Sequence, residues 1–544
     1  MLKRLKSVSM MLFLMGASTG AAYAVSNPGI TDVKIAQQDG ACTGIVKDAT
    51  GETVIGASVV VKGTTNGTIT GIDGDFSLSN VKKGDVIVIS FVGYISQEIV
   101  WDGKPVNVTL KDDTQTLDEV VVVGYGTQKK VNVTGAVGMV DSKVIAARPV
   151  QNVSQALQGV IPGLNLTVGN SGGSLDGEMN INIRGTGTIG DGSGSSPLVL
   201  IDGIEGNLNT VNPNDIESVS VLKDAASASI YGARASFGVI LVTTKSGKSG
   251  KTNVNYSGNV RFNDAIGIPE LMDSYTFAQY FNRASSNRGG GDIFSPAVME
   301  RIKAYQEGTL TATTVDNGSG IWQKWANANG NTDWFGEFYD NWVPSQEHNL
   351  SISGGTEKLQ YVLSGSFLDQ KGLLRHGTDK FQRYTLNSKI TANITDWLKV
   401  TLNSKWTRED FQRPTYLTSS FFHNLARKWP VHPAYDPNGF PMDEGEIEQM
   451  ENGGEQNSQK DYYTNQLHVV IEPIKNWRIN LEGSVRTTTQ YQHWEVLPVH
   501  AYDVNGDPYY TVWDMGYGSY SAGSSRVDEY SWKENYYTTN VYSD

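Results

Sequence analysis

The chain has 544 residues and a formal net charge of −13 at pH 7. At about 150 residues per domain, this length predicts several domains rather than a single core. The composition is 39% hydrophobic and 10% aromatic with 59 glycines, which favours β-structure with many turns. The acidic charge argues against nucleic acid as the main partner, and a single cysteine, Cys42, excludes an intrachain disulfide and a cysteine-based metal site. After residue 24 no stretch approaches the ~20 consecutive apolar residues of a spanning helix, which excludes a helical membrane protein.

Residues 1–24 have the pattern of a secretory signal peptide. The basic head is Lys3 to Lys6, the apolar core is Met10 to Ala17, and the small-x-small cleavage pattern is Ala22 to Ala24. We therefore expect an exported protein in which residues 25–42 form a linker. A buried N-terminal helix is the alternative.

Residues 43–112 alternate short apolar runs with turn residues, as in Gly44 to Lys47, Phe76 to Leu78 and Val86 to Phe91. Short strands at this density of turns predict a small β-sandwich. The segment contains no histidine, and its aspartates stand where turns need them, so we expect no catalytic role.

Residues 113–130 contain four consecutive valines, whose β-branched side chains favour an extended strand. Two interpretations stay open: a strand in a core, or an exposed strand that a partner protein extends by β-augmentation. The candidate contact residues are Asp118, Glu119, Val120, Val121, Val122, Val123, Gly124, Tyr125 and Gly126.

Residues 131–247 alternate strand and helix patterns, which predicts a compact α+β domain. Ile216 to Leu222 and Gly238 to Thr244 are predicted strands, separated by a small-residue helix from Lys223 to Arg234. Gly185 to Gly190 forms a GxGxxG pattern, but the Asp, Gly and Ser residues that follow cannot begin the helix of a dinucleotide site. We therefore do not expect nucleotide binding.

Beyond this domain, apolar and polar residues alternate over long strands, as in Leu398 to Trp406 and Trp477 to Arg486. Short links such as Gly354 to Lys358 join the strands at one end, and long segments such as Arg408 to Tyr462 join them at the other. This asymmetry is typical of an outer-membrane β-barrel, which we predict for residues 248–544. A secreted β-sandwich is the alternative.

The long loops offer several candidate sites. Asp436 to Gly439 and Asp503 to Asp507 suit β-turns, whereas a calcium loop would require a closing bidentate glutamate. A glycan hydrolase would need a carboxylate pair, but the loop glutamates, which are Glu444, Glu446 and Glu448, are predicted to form a solvated acidic face. Loop tryptophans could stack on sugar rings, pack the loops or contact a partner; they are Trp322, Trp325, Trp334 and Trp429. The histidines show no metal-binding spacing.

Several long motifs carry a resemblance to a known family. They are LDEVVVVGYGTQKK, VSQALQGVIPGLNL, INIRGTG, PLVLIDG, NPNDIESVSVLKDAASASIYGARASFGVILVTTKSGK and NTDWFGEFYDNWVPSQEHNLSISGG. In this order they resemble the SusC/RagA family of TonB-dependent outer-membrane transporters. Residues 43–112 resemble a carboxypeptidase regulatory-like domain, which implies an accessory module and no peptidase activity.

The resemblance implies a mainly β protein with a regulatory-like β-sandwich, a TonB-contact segment at residues 113–130, an α+β plug domain at residues 131–247, and the first part of a transmembrane antiparallel barrel. The complete barrel would have about 22 strands, wide enough to need a plug. TonB, energised by ExbB and ExbD, would pair with Asp118 to Gly126 and pull part of the plug open. The plug motif residues are Arg184, Gly185, Asp202, Gly203, Lys223, Asp224, Tyr231, Gly232 and Arg234.

The implied function is import of oligosaccharides, or of peptides, across the outer membrane beside a SusD-like surface lipoprotein. No enzyme activity, cofactor or metal is expected, and a surface adhesin or receptor without energised transport is the alternative. The length adds one expectation. About 290 residues follow the plug and make about ten to twelve strands at roughly 25 residues each, so we expect an N-terminal portion of a longer protein or a truncated gene product.

Overall fold

The computed structural model describes residues 40–91, 94–111, 120–123, 126–129, 136–148, 150–168, 174–185, 196–511, 513–514, 519–520 and 523–543. The chain divides into two compact units between Asp118 and Glu119. The predicted signal peptide, residues 1–24, lies outside the described residues. None of the helices in the described ranges has the length and apolar character that a membrane crossing requires.

The first unit is a pair of small sheets that enclose one core. Its strands are β1 (Gly40–Lys47), β2 (Ser58–Val61), β3 (Gly67–Ile69), β4 (Asp75–Val81), β5 (Val86–Ser90), β6 (Gln97–Val100) and β7 (Val106–Thr109). The strand orders are β4-β1-β7 and β3-β2-β5-β6. Because successive side chains of a strand point to opposite faces, β4 buries Phe76 and Leu78 and exposes Ser77 between them. Cys42 is buried in the same core, as expected of a small residue in a strand.

The second unit begins with a hairpin in the predicted TonB-contact segment. Strand β8 (Val120–Val123) pairs antiparallel with β9 (Gly126–Lys129). Asp118, Glu119, Gly124 and Tyr125 lie outside the described residues, as do the side chains of both strands. The choice between a core strand and an exposed strand therefore stays a prediction.

The plug region, which we define as the described residues of 131–247, is an α+β arrangement. Its elements are β10 (Val137–Asp141), α1 (Ser142–Ala146), α2 (Val153–Leu157), β11 (Leu164–Val168), β12 (Met179–Ile183), β13 (Leu198–Ile201), β14 (Ile204–Glu205), β15 (Ile216–Leu222), α3 (Ala225–Ala228) and β16 (Val239–Thr244). Five strands form a sheet in the order β10-β15-β16-β13-β14, and β11 pairs with β12. Ile145, Leu157 and Val219 are fully buried in its core.

The predicted helix from Lys223 to Arg234 is wrong in its length. The α-helix α3 spans only Ala225–Ala228, and a 3₁₀ segment follows from Ser229 to Ala235. Gly232 interrupts that segment with a φ of +64° and a ψ of −151°. Small side chains offer little apolar surface to stabilise a longer helix, and a glycine can adopt the left-handed φ that ends it.

The remaining residues form one large antiparallel sheet and the segments that connect its strands. The elements are β17 (Gly250–Asn263), α4 (Ser274–Asn287), α5 (Pro296–Gln306), α6 (Trp334–Phe338), β18 (Val343–Gly355), β19 (Leu359–Lys371), β20 (Lys380–Thr395), β21 (Leu398–Pro414), α7 (Ser419–Leu425), α8 (Ile447–Asn452), β22 (Glu455–Ile474), β23 (Trp477–Val496), β24 (His500–Tyr502), β25 (Pro508–Tyr510), β26 (Trp513–Asp514), β27 (Ser519–Tyr520) and β28 (Arg526–Ser543). The large sheet has eight strands in the order β17-β18-β19-β20-β21-β22-β23-β28, with every neighbouring pair antiparallel.

The connections follow the predicted asymmetry. Two-residue links join β20 to β21 and β22 to β23 at one end, and the long segments lie at the other end. The predicted loop from Arg408 to Tyr462 is too long, since Pro414 still pairs with Glu455 across β21 and β22. The extra pairs carry polar residues, whose weak alternation concealed the strands.

The two faces of the large sheet differ in chemistry. The outward residues form an exposed apolar belt that includes Val254, Leu386, Ile394, Leu402, Leu467 and Val541. Trp397 and Trp477 stand beside the short links with 52% and 47% of their surface exposed. An apolar surface of this extent is unusual for a face in contact with water, and it is typical of strands that face hydrocarbon. The opposite face is polar and contacts the plug region.

Candidate functional site

The candidate site is the contact between the plug region and the polar face of the large sheet, centred on Asp202. Asp202 and Gly203 form the two-residue turn that joins β13 to β14, and their φ angles are +50° and +86°. Positive φ at both central residues is the geometry of a type I′ turn, for which Asp-Gly is a preferred sequence. The turn directs the Asp202 carboxylate towards β16, where Thr244 donates its backbone N–H at 2.9 Å and its hydroxyl at 2.7 Å.

Three side chains of the large sheet meet the same carboxylate. Lys405 donates to Oδ2, the Lys389 ammonium lies 3.6 Å from Oδ1, and the Asn403 amide donates to Oδ2 at 3.1 Å. Only 8% of the Asp202 side chain is exposed. Burial acts to raise the pKa of Asp202, but the charges of Lys405 and Lys389 outweigh it and hold the pKa below its usual range. Asp202 is therefore an anion that side chains from two neighbouring strands of the large sheet, β20 and β21, hold in place.

Further polar contacts surround this centre. Arg383 of β20 donates to the carbonyl oxygens of Asn209 and Gln151, both at 2.6 Å. Thr407 of β21 donates to the carbonyl oxygen of Thr210 at 3.0 Å. The remaining pairs are Asn212 with Asn349, Asn387 with Asp215, Gln466 with the Asp202 carbonyl, and Arg486 with the Glu205 carbonyl. Hydrogen bonds therefore carry much of the contact between plug region and sheet.

Two cavities adjoin this contact. One, of about 320 Å³, lies between the plug region and the sheet and is lined by Lys389, Lys405 and Asp215 among others. The other, of about 1090 Å³, lies at the long-loop end of the sheet. Its lining includes Gln370, Asp379, Arg413, Gln456, Gln492 and Trp494. Burial raises the pKa of Asp379 to about 6. Side-chain amides both donate and accept hydrogen bonds, so the wall of this cavity offers donors as well as acceptors.

The long loops above the sheet pack around aromatic side chains. Trp334 is fully buried, its indole N–H donates to the Trp429 carbonyl at 3.0 Å, and its ring stacks with His432 at 6.0 Å between centroids. Trp325 stacks on the same histidine at 4.6 Å. Of the three interpretations of the loop tryptophans, these contacts favour loop packing.

The predicted solvated acidic face is wrong for Glu446. This residue is buried and its carboxylate accepts from Lys428, Tyr416 and Asn424, each at 2.8 Å. Glu444, by contrast, is exposed and pairs with Lys324 at 2.6 Å. Alternate acidic residues suggested a surface, but donors from Tyr416, Asn424 and Lys428 meet the Glu446 carboxylate inside the loop.

Both turn predictions in the loops agree with the structure. Asp436 accepts the backbone N–H groups of Asn438 and Phe440, and Asp503 accepts those of Asn505 and Asp507, at distances of 2.8 to 3.0 Å. Over the ranges that the structure describes, no group of three or more His, Cys, Asp or Glu side chains could hold a metal ion.

The plug motif residues predicted from the sequence do not form one site. Asp202 and Gly203 lie at the sheet contact. Lys223 and Asp224 follow β15 and contact Ala136, the residue before β10, and the Lys223 ammonium donates to the Pro162 carbonyl at 3.2 Å. Arg234 forms an ion pair with Glu205 at 3.2 Å and also donates to the Tyr536 hydroxyl.

The other motif residues have local roles. Arg184 and Gly185 follow β12 with φ angles of +59° and +96°, and residues 186–190 of the GxGxxG pattern lie outside the described residues. Tyr231 packs against a small core beside Gly232. No partner of Lys389, Asn403 or Lys405 could be predicted from the sequence. The two lysines were the available signal for a buried anionic partner. They lie on the inner face of neighbouring predicted strands, and charges in such a position need a counterion.

Two family models match the chain. The TonB-dependent receptor plug domain matches residues 129–239, and the CarboxypepD_reg-like domain matches residues 42–122. The TonB-dependent receptor SusC of Bacteroides thetaiotaomicron is 37% identical over 375 residues, which cover 67% of this chain and 33% of SusC. The TonB-dependent receptor P39 of Formosa agariphila is 33% identical over 393 residues, which cover 71% of this chain and 34% of P39. The chain thus spans about one third of the length of these relatives.

Solved structures share the fold. The RagAB peptide importer in its open-open state aligns with a TM-score of 0.62 and 24% identity, over 78% of this chain and 46% of the matched chain. The RagAB peptide transporter aligns with a TM-score of 0.55 and 25% identity, over 67% of this chain and 42% of the matched chain. Both alignments extend over most of the described residues.

Proposed function

Because the chain belongs to the SusC/RagA family of TonB-dependent receptors, we propose that the protein imports oligosaccharides, or peptides, across the outer membrane using energy supplied through TonB. In this proposal the large sheet is the first part of the transmembrane wall, residues 43–112 are an accessory periplasmic module, and residues 131–247 close the wall from within. A SusD-like surface lipoprotein would cover the long-loop end. The relatives are receptors, and no enzyme activity is proposed.

The observation that carries the proposal is the opposite chemistry of the two faces of the large sheet. Its exposed apolar belt would face lipid, and its polar face holds the plug region by hydrogen bonds and ion pairs. A plug held by polar groups can be released into water, because every group that loses its partner can be hydrated. The adjoining cavity of about 320 Å³ supplies space for that water.

TonB would act on Asp118 to Gly126 by adding a strand to β8. Strand β8 pairs with β9 on one side only among the described strands, which leaves its other edge for a partner strand. Cargo would bind in the cavity of about 1090 Å³ at the long-loop end, where amides and Trp494 line the wall. Removal of part of the plug region would then connect this cavity to the periplasm.

The test removes a backbone donor without removing the segment. Amide groups of a strand alternate between its two edges, so either Val121→Pro or Val122→Pro deletes an N–H at the open edge of β8. We expect the proline variant that lacks the open-edge N–H to abolish uptake in whole cells. The alanine variants, Val121→Ala and Val122→Ala, should retain uptake. The probes are labelled α- and β-linked glucose oligosaccharides and a labelled tryptic peptide mixture.

Binding of the same probes at the cell surface is measured in parallel. Binding that persists in the proline variants while uptake is lost supports energised import. Unchanged uptake in both proline variants, and in a deletion of Asp118 to Gly126, contradicts the proposal and favours the adhesin or receptor alternative.

A further inference from the structure

The connection between the TonB-contact segment and the plug region ends at Ala136. This residue immediately precedes β10, and its backbone is fixed on both sides. Its N–H donates to the Asp224 carboxylate at 2.5 Å, and its carbonyl accepts from the Lys223 N–H at 3.1 Å. Asp224 is 88 residues away in sequence, so this contact closes a long segment of the plug region.

Asp224 uses its two oxygens for different partners. Oδ1 caps helix α3 by accepting the Ser227 N–H at 2.8 Å, and it also accepts the Ser227 hydroxyl. Oδ2 accepts the Ala136 N–H. Hydrogen bonds from Ser227 and Ala136 lower the pKa of Asp224 to about 2, so both contacts involve a charged acceptor at neutral pH.

The position of β10 determines which contact bears a pulling force first. Among the described strands, β10 lies at the edge of the five-stranded sheet and pairs with β15 alone, from Val137 with Leu222 to Asp141 with Ser218. A force applied to the preceding segment reaches β10 at its Ala136 end. The bond between Ala136 and Asp224 must therefore break before the strand pairs separate in turn from Val137 towards Asp141.

We propose that Asp224 is a positioning residue for energised transport: its bond to Ala136 is the latch that determines how fast a pull on the TonB-contact segment opens the plug region. This inference rests on the proposed function for the source of the force. The latch itself is a property of the plug region and is measurable without TonB.

The substitution Asp224→Asn removes the contact with Ala136 and keeps the contact with Ser227. Asparagine is as good an N-cap as aspartate, so its oxygen keeps the bond to Ser227. Its NH₂ group then faces the Ala136 N–H, and two donors cannot bond. Asp141→Asn is the matched control, because Asp141 caps α1 by accepting the Val144 N–H at 3.0 Å and lies at the far end of the same strand.

The experiment pulls directly on the plug region. The full-length protein, with Cys42→Ser and Lys129→Cys, is held in a supported bilayer and pulled through a handle on the new cysteine at constant force. We expect the first opening of Asp224→Asn to be about tenfold faster than that of the parent, as the loss of one charge-assisted hydrogen bond implies. Asp141→Asn should open at the parent rate.

An opening rate in Asp224→Asn equal to that of the parent would overturn the proposal, and so would an equal acceleration in Asp141→Asn. Since the handle is covalent, the result does not depend on TonB binding. If uptake survives the proline substitutions in β8, the proposed function fails and with it the role of TonB, and the opening rates still decide whether Asp224 forms the latch.

Discussion

The contact between the plug region and the large sheet differs in kind from the packing of the long loops. The first is mostly polar, with Asp202, Arg383 and Thr407 among its members. The second is aromatic and apolar, with Trp334, Phe338 and Phe421 fully buried. In both regions, segments that are distant in sequence are in contact. Only in the first can water replace the lost contacts, so that separation costs little free energy.

The difference predicts which of the two contacts separates at the lower cost in free energy. Apolar surface that leaves a core costs about 25 cal/mol for each Å², whereas a hydrogen bond exchanged for water costs only about 1 kcal/mol. The loops should therefore keep their structure while the plug region separates from the sheet. Substitutions in the two regions should therefore differ in the free energy that they cost and in how many residues show faster amide exchange.

The largest effect is expected for Trp334→Ala in the loops. Truncation of a fully buried tryptophan should destabilise the loop packing by about 4 kcal/mol, because it leaves a cavity among aromatic rings. Amide hydrogen exchange of helices α6 and α7 in the full-length protein measures this loss. The control is Trp342→Ala, since Trp342 is 69% exposed. Equal exchange in the two variants would contradict the assignment of Trp334 to the loop core.

Asp202→Asn tests the polar side of the comparison. Loss of the anion leaves Lys389 and Lys405 without their counterion, which should lower the opening free energy of β13 and β14 by about 3 kcal/mol. Lys405→Met in the same chain should restore part of the loss, because it removes one unpaired charge. Amide exchange of β13 and β14 reports both. Exchange that also rises in the loop helices would contradict the independence of the two regions.

The sequence predicts the elements of both regions better than their contacts. Alternation identified the strands of the large sheet. Other elements also depend on local signals: Asp273 and Ser295 each accept from the N–H three residues later, as N-cap residues do. The Asp202-Gly203 pair is likewise a preferred sequence for the turn it forms. These features are local, since a few neighbouring residues determine them.

The partners across the site depend on non-local geometry. Lys405 and Asp202 are 203 residues apart, and their meeting depends on the register of every strand between β17 and β21. The burial of Glu446 has the same cause, since Tyr416 and Lys428 reach it from a preceding segment. A lysine within an alternating strand predicts a counterion, but the sequence does not identify which one.

Acid should weaken the loops through His432, with a smaller effect than the two substitutions. Burial lowers the pKa of His432 to about 3, so the folded loops hold it neutral, whereas its pKa in the unfolded chain is about 6.5. The stability of the loops is therefore not reduced by His432 above the pKa of the unfolded chain. It decreases as the pH falls from that value towards 3. Between pH 7 and pH 5 the loss should be about 2 kcal/mol.

Amide exchange of α7 and α8 at the two pH values, corrected for intrinsic rates, measures the effect of His432. His432→Gln should remove the pH dependence, because a glutamine can still accept from Trp325 and donate to the Asp443 carbonyl without titrating. His423→Gln, at an exposed position of the same loop, should retain it. A pH dependence that survives His432→Gln would assign the effect to another group.

The smallest effect is expected for Thr407→Val, which tests a single neutral contact of the polar region. Valine has nearly the same shape as threonine but cannot donate to the Thr210 carbonyl, so the plug region should lose about 1 kcal/mol, or about fivefold in exchange protection at Thr210 and Val211. The control is Thr539→Val on the exposed surface of β28. Because water can replace the lost donor, the change should remain at these residues. An increase in exchange throughout β13 to β16 would show instead that the plug region opens as one cooperative unit, and that its polar contacts cannot be released separately.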